Sequence, residues 1–198
     1  MKVIFASNNA GKTREVAAAL AGLDIELVPQ SQFQVVEAEE TGLTFVENAL
    51  LKARNACRQT GLPAIADDSG VEVDALNGAP GVYSARYAGP SADDAANNAR
   101  LLRELADVPD AQRTARYQCV MVYLRHADDP TPIICQAAWE GLILREPRGE
   151  GGFGYDPLFW LAEPGQTAAE LDLATKNQLS HRGQALRQLL AALGGNIA

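Results

Sequence analysis

Cysteine is scarce in this chain. Its three residues, Cys57, Cys119 and Cys135, are widely spaced, odd in number and free of any Cys-x-x-Cys pair. That pattern excludes a disulfide framework and a thiolate zinc site, and it reads as reduced core thiols in a cytoplasmic protein. Long hydrophobic runs are missing too. No stretch approaches the roughly 18 apolar residues of a membrane span, so no membrane partner is expected. Residues 1–9, Met-Lys-Val-Ile-Phe-Ala-Ser-Asn-Asn, hold one basic residue and too short an apolar run for a signal peptide. Positive charge is in deficit, with 17 Lys and Arg against 25 Asp and Glu and a net charge of −8. A protein that grips nucleic acid through a broad basic face is therefore excluded, and an anionic substrate must be held by a local basic pocket or by metal. Internal repeats, low-complexity segments and interdomain linkers are also absent.

The 198 residues, 47% of them hydrophobic, suffice for a sizeable core in one domain or in two lobes sharing a sheet. The stretch Leu62 to Gly70, Leu-Pro-Ala-Ile-Ala-Asp-Asp-Ser-Gly, is the most informative. Ala64 to Ala66 reads as a short buried strand, with Gly70 ending it or admitting a ligand close to the backbone. Two neighbouring carboxylates repel, and burying them is costly unless a cation or hydrogen-bond donors meet them. Asp67 and Asp68 thus point to a divalent-metal and acid/base site at a strand end; a solvated Asp-Asp-Ser-Gly turn is the alternative.

Upstream, Lys2 to Ala6 is β-rich, Ser7 to Thr13 is a loop of small polar residues, and a helical pattern covers Arg14 to Ala21. A strand, a loop and a helix start aim backbone N–H groups and a positive helix end at an anion, and Lys12 adds a charge. Residues Ala6 to Thr13 match a relaxed phosphate loop in which Ala6 replaces the first glycine. Ile25 to Val28 forms a second strand. Thr44-Phe45-Val46-Glu47 is a capping box for a helix ending at Gly61, so Glu39 and Glu40 lie just before its start. They favour the helix dipole, or they converge with Asp67 and Asp68 as oxygen ligands for magnesium.

Val71 to Val73 predicts another short strand, and Val82 to Gly89 a connecting or functional loop. A helix is expected over Asp93 to Ala106, with Ser91 as cap and Ala96, Ala99, Leu102 and Leu105 inward. Thr114 to His126 and Pro132 to Glu146 predict a hairpin, which makes the sheet mixed. Glycines flank Phe153 in Gly151-Gly152-Phe153-Gly154-Tyr155-Asp156, where a ring can stand beside a base or return to the core. Leu158 to Trp160 predicts a strand and Thr167 to Leu171 a helix start. A last helix carries Leu179, Leu186, Leu189, Leu190 and Leu193, closes at Gly194-Gly195, and gathers Lys176, His181 and Arg182 at its positive end as an anion or carbonyl pocket.

Six blocks in order carry a resemblance that covers Lys2 to Leu193: Ser7-Asn8-Asn9-Ala10-Gly11-Lys12, Glu39-Glu40-Thr41-Gly42, Ala66-Asp67-Asp68-Ser69-Gly70, Gly81-Val82-Tyr83-Ser84-Ala85-Arg86-Tyr87, Phe153-Gly154-Tyr155-Asp156 and Ser180-His181-Arg182. The chain resembles the inosine/xanthosine triphosphate pyrophosphatases, which act on non-canonical purine nucleotides, and especially their bacterial branch. The resemblance implies an α/β fold, an elongated mixed β-sheet flanked by helices, in which a single domain of two lobes holds an active-site cleft between them. It implies a homodimer that uses Mg2+ to hydrolyse the inosine, deoxyinosine and xanthosine triphosphates to monophosphate and pyrophosphate. By the same resemblance Ser7, Asn8, Asn9, Ala10, Gly11 and Lys12 hold the triphosphate, with Lys176 assisting and Ser69 contacting substrate. Phe153, Gly154, Tyr155, Asp156, His181 and Arg182 surround the base. Asp68 is the proton acceptor and shares the metal with Glu40. A phosphate-loop kinase and a non-catalytic nucleotide sensor are the competing readings.

Overall fold

The computed structural model describes residues 1–20 and 25–194. Among these, the strands form one seven-stranded sheet: β1 (Lys2–Phe5), β2 (Glu26–Pro29), β3 (Ala64–Val73), β4 (Thr114–Leu124), β5 (Ile133–Ile143), β6 (Phe159–Leu161) and β7 (Gln166–Thr167). Their spatial order is β2-β1-β3-β4-β5-β6-β7. β1 pairs parallel with β2 and β3, while β6 pairs antiparallel with β5 and β7, so the sheet is mixed as the hairpin required. The helices are α1 (Ala10–Leu20), α2 (Phe45–Thr60), α3 (Asp94–Glu104), α4 (Leu173–Leu179) and α5 (His181–Gly194). The predicted ends at Ala21 and Gly195 lie outside the described residues. No described helix is long and apolar enough to cross a membrane.

The chain divides into two compact units. One takes the described residues of Met1–Asp68, Cys119–Ala137 and His181–Ala198; the other takes Ser69–Gln118 and Ala138–Ser180. The first unit shows why its strands are apolar on both sides. Val3, Phe5 and Ile65 pack with Val16 and Leu20 of α1 and Leu186 and Leu189 of α5, whereas Ile4, Ala64 and Ala66 pack with Ala49, Ala53 and Ala56 of α2. Successive strand residues face opposite ways, so helices on both faces require near-continuous apolar sequence. The second unit has its own core of Val71, Leu101, Tyr117, Trp139, Leu158 and Phe159 among others.

Several expectations change in detail. The short strands expected over Ala64–Ala66 and Val71–Val73 are one ten-residue strand, β3, that runs straight through Asp-Asp-Ser-Gly. The cap of α3 is Asp93, whose side chain accepts the Ala96 N–H, instead of Ser91. The inward face of α3 is Asn97 and Leu101, with Leu102 half-buried against the same core as expected and Leu105 beyond its end, because Asn97 satisfies the Ala88 N–H and the Ala85 carbonyl. Ala96 and Ala99 are exposed. Thr167 is in β7 paired with Trp160, and the helix begins only at Leu173, capped by Asp172.

Candidate active site

The first unit gathers its charged residues around β3. Asp67 and Asp68 are 1% and 5% exposed in mid-strand, which removes the solvated-turn reading. Adjacent strand residues point to opposite faces. Asp67 follows the Ile65 side, toward α1 and α5, and Asp68 follows the Ala64 and Ala66 side, toward α2. Their partners agree with this placement.

On the α1 and α5 side, Asp67 Oδ2 meets Lys12 Nζ at 3.1 Å and Arg182 Nε at 3.2 Å. Arg182 also donates to Glu15 of α1 and is itself 3% exposed. A cation in the first turn of α5 opposes the helix dipole, and the two carboxylates offset that. Burial works to raise the Asp67 pKa, but Lys12, Arg182 and Lys52 outweigh it and hold the carboxyl well below its usual range. Burial likewise works against the Arg182 charge, and Asp67 and Glu15 reverse it, so its pKa rises. Among the described residues, Asp67 Oδ1 is buried without a hydrogen-bond partner. Burial, reinforced by the Asp67 charge, pushes the nearby Cys119 thiol up to about 12, so it stays protonated.

The loop before α1 explains where Lys12 comes from. Asn9 Oδ1 accepts the Lys12 N–H at 3.0 Å, and the Asn9 N–H donates to Ser7 Oγ at 3.2 Å. Asn9 thus caps the helix start in the manner of an Asx residue, ordering the loop through side-chain oxygens where a phosphate loop uses glycines. Asn8 donates to Glu37 at 2.6 Å. Ala10 is exposed and Gly11 is buried.

On the α2 side, Lys52 Nζ lies 2.9 Å from Asp68 Oδ1 and 2.8 Å from Glu40 Oε1. Asn48, one turn earlier, donates to Asp68 Oδ2 at 3.4 Å and accepts the Gly42 N–H at 2.8 Å. The capping box forms as predicted, with the Glu47 N–H on Thr44 Oγ1 and Glu47 Oε2 on the Thr44 N–H. Gly42 packs so closely that a Cβ there would lie 2.6 Å from Glu47 Cβ. The helix start, Asn48 and Gly42 together carry Glu40 to Lys52; Glu39 is exposed. Burial raises the Asp68 pKa from its ordinary value, against the opposing pull of Lys52 and Lys12. Burial disfavours the Lys52 charge, but Asp68, Asp67 and Glu40 prevail and raise its pKa. Two neighbouring aspartates are therefore driven in opposite directions, which is the usual signature of an assigned acid/base role.

Glu40 and Asp68 already share one cation, the Lys52 ammonium, and they offer hard oxygen donors. Among the described residues no group of three or more His, Cys, Asp or Glu could hold a metal. A pair of carboxylates fits magnesium, which takes one or two from protein and completes its shell with water and substrate phosphates. Asp67 faces the other way and does not join Glu40.

In the second unit, Phe153-Gly154-Tyr155-Asp156 forms a turn. Gly154 has φ +63°, a left-handed conformation that glycine adopts without strain. Asp156 Oδ2 accepts the Phe153 N–H at 2.8 Å and Lys176 Nζ at 2.6 Å, and Tyr117 donates to Asp156 Oδ1 at 3.2 Å. Lys176 Nζ also stands 4.8 Å over the Phe153 ring. Lys176 belongs to the last turn of α4, which ends at Ser180 in extended conformation before α5 begins with His181 and Arg182. The expected cluster of Lys176, His181 and Arg182 at one helix start is thus divided between two helices. His181 is 3% exposed, and Ser69 lies within β3.

Lys52, Asn48 and Glu15 were not singled out by sequence as binding groups. The signal for two of them was present: Asn48 and Lys52, four residues apart, flank the Ala49, Ala53 and Ala56 stripe that α2 buries. Glu15 stands three residues after Lys12 in the same way.

The Ham1 family pattern matches residues 3–192. The chain is 64% identical over 195 residues to the dITP/XTP pyrophosphatase of Thioalkalivibrio sulfidiphilus, covering 98% of this chain and 100% of that one. It is 58% identical over 192 residues to the dITP/XTP pyrophosphatase of Escherichia coli K12, covering 97% and 98%. Of solved structures, a HAM1 protein from Coxiella burnetii matches with a TM-score of 0.91 and 50% identity, covering 98% of this chain and 99% of that one.

Proposed function

The chain belongs to the Ham1 family, and from that premise we propose that it hydrolyses inosine, deoxyinosine and xanthosine triphosphates to the monophosphate and pyrophosphate. The observation that carries the reading is full-length identity of 58–64% to proteins named dITP/XTP pyrophosphatase, in a chain that keeps a buried, cation-paired Asp68. Asp68 is the proton acceptor. Its raised proton affinity suits it to orient a water and take its proton, a contribution of about 10²- to 10⁴-fold.

The substrate carries roughly four negative charges, and breaking its α–β bond places more on the departing pyrophosphate. Lys12 and the capped start of α1, from Ser7 to Gly11, supply positive charge and N–H donors for the phosphates. Glu40 and Asp68 would hold Mg2+, which would neutralise phosphate charge when bound. Lys52 pairs with both carboxylates and holds them close together before that. Ser69 and Lys176 are assigned to substrate, and Phe153 to Asp156, His181 and Arg182 to the purine. Inosine presents an acceptor at carbon six where adenosine presents a donor, so an Arg182 N–H favours the former and leaves the latter facing an unpaired group. The same family likeness brings a homodimer and a cytoplasmic setting into the proposal.

Incubation with inosine triphosphate and magnesium tests the reading. Release of pyrophosphate in step with inosine monophosphate is expected. Phosphoryl transfer to an acceptor would favour a kinase, and tight binding without turnover a sensor.

A further inference from the structure

Two residues of α3 hold the turn to which the proposed function assigns the purine, and the inference rests on that assignment. Asp94 and Asn98 are one helical turn apart on the same face. Asp94 Oδ2 accepts the Gly154 N–H at 2.6 Å, and Asn98 Nδ2 donates to the Gly154 carbonyl at 2.9 Å. The peptide groups on both sides of the Gly154 Cα are therefore tied to one helix. A Cβ at Gly154 would meet nothing within 4 Å, so the left-handed φ, and not crowding, calls for glycine there. The rest of the turn is anchored separately: the Tyr155 hydroxyl donates to the Ser84 carbonyl at 2.7 Å, and Asp156 closes back on the Phe153 N–H.

We infer that Asp94 and Asn98 are positioning residues for purine recognition, which fix the Phe153–Asp156 turn through Gly154 and so aim the Phe153 ring without touching substrate. A competing role is available for Asp94 alone, since a carboxylate in the first turn of α3 stabilises the helix by its charge. The two roles separate chemically. Asp94→Asn keeps an acceptor oxygen for Gly154 and loses the charge, whereas Asp94→Ala loses both. Asn98→Ala removes the donor, and Asn98→Asp turns a carboxylate oxygen toward the Gly154 carbonyl.

The test is steady-state hydrolysis of inosine and adenosine triphosphates with magnesium. Asp94→Ala is expected to raise KM for inosine triphosphate about tenfold, the worth of one charge-assisted hydrogen bond. Its kcat should change by less than about threefold, as for loss of binding and not of chemistry. The preference for inosine over adenosine triphosphate should fall, and Asp94→Asn should restore most of both losses. Asn98→Ala should move in the same direction as Asp94→Ala, and Asn98→Asp at least as far. Equal losses in Asp94→Asn and Asp94→Ala, or an unchanged KM and preference in Asp94→Ala, would overturn the positioning role. Phe153→Ala separates the two layers of argument. If it abolishes the preference while Asp94→Ala leaves it intact, the α3 clamp fails alone; if it leaves the preference intact, the assignment of this turn to the base fails, and the clamp with it.

Discussion

Replacing Asp68 by Asn separates chemistry from folding. The asparagine has nearly the same shape, keeps an oxygen for the Asn48 donor, and leaves Lys52 its 2.8 Å contact with Glu40. Turnover of inosine triphosphate should fall by about 10²- to 10⁴-fold, equivalent to about 3–5 kcal/mol of barrier. Stability should move the other way. The Asp68 pKa is raised in the fold, chiefly by burial. A group whose folded pKa lies above its unfolded one adds stability only below the unfolded pKa, and that contribution is lost as pH rises through the folded pKa. At neutral pH its ionised carboxylate therefore opposes folding, and a neutral isostere should unfold at an equal or higher denaturant concentration in metal-free buffer. Initial-rate measurements and a urea titration of the same preparation check both halves. Near-normal turnover would remove the assigned role, and a lower unfolding midpoint would show that the Lys52 and Asn48 contacts outweigh the cost of burying the Asp68 charge, against the raised pKa.

Lys12→Ala should weaken binding of inosine triphosphate far more than that of inosine, measured calorimetrically; equal losses would refute the phosphate contact. Asp129 is buried in the turn after β4, where Arg125 reaches it at 2.6 Å and holds its carboxyl well below the usual range. A depressed carboxylate pKa adds stability above the unfolded value of about 3.9 that is lost as pH falls further. Asp129→Asn should therefore be less stable than wild type at pH 7, with the gap closing in strong acid; a gap that is constant with pH would contradict this.

Much of the fold was legible where the signal is local. The Thr44 to Glu47 box, the Gly61 stop with its φ of +69° and the mixed sheet all follow from short-range chemistry and periodicity. What was illegible came from partners distant in sequence. Asp67 and Asp68 look like a turn locally because the residues that make their burial tolerable, Lys12, Lys52 and Arg182, arrive from three separate helices. Thr167 reads as helix until Trp160 claims it as a strand partner. Ala96 and Ala99 read as inward-facing until two loop peptide groups need Asn97 inside α3 instead. The candidate site followed the same division: the blocks of polar residues stood out, but their division between two faces of β3, and the separation of Lys176 from His181, required the alternation of the strand and the break at Ser180.

The central claim is that Glu40 and Asp68 form one cation site serving a triphosphate held by Lys12. A crystal structure with inosine triphosphate and a divalent cation that does not support turnover tests it most directly. The account predicts the cation bound by both carboxylates with phosphate oxygens completing its shell and Lys12 on the phosphates. A cation bound away from Glu40 and Asp68, or phosphates out of reach of Lys12, would contradict it.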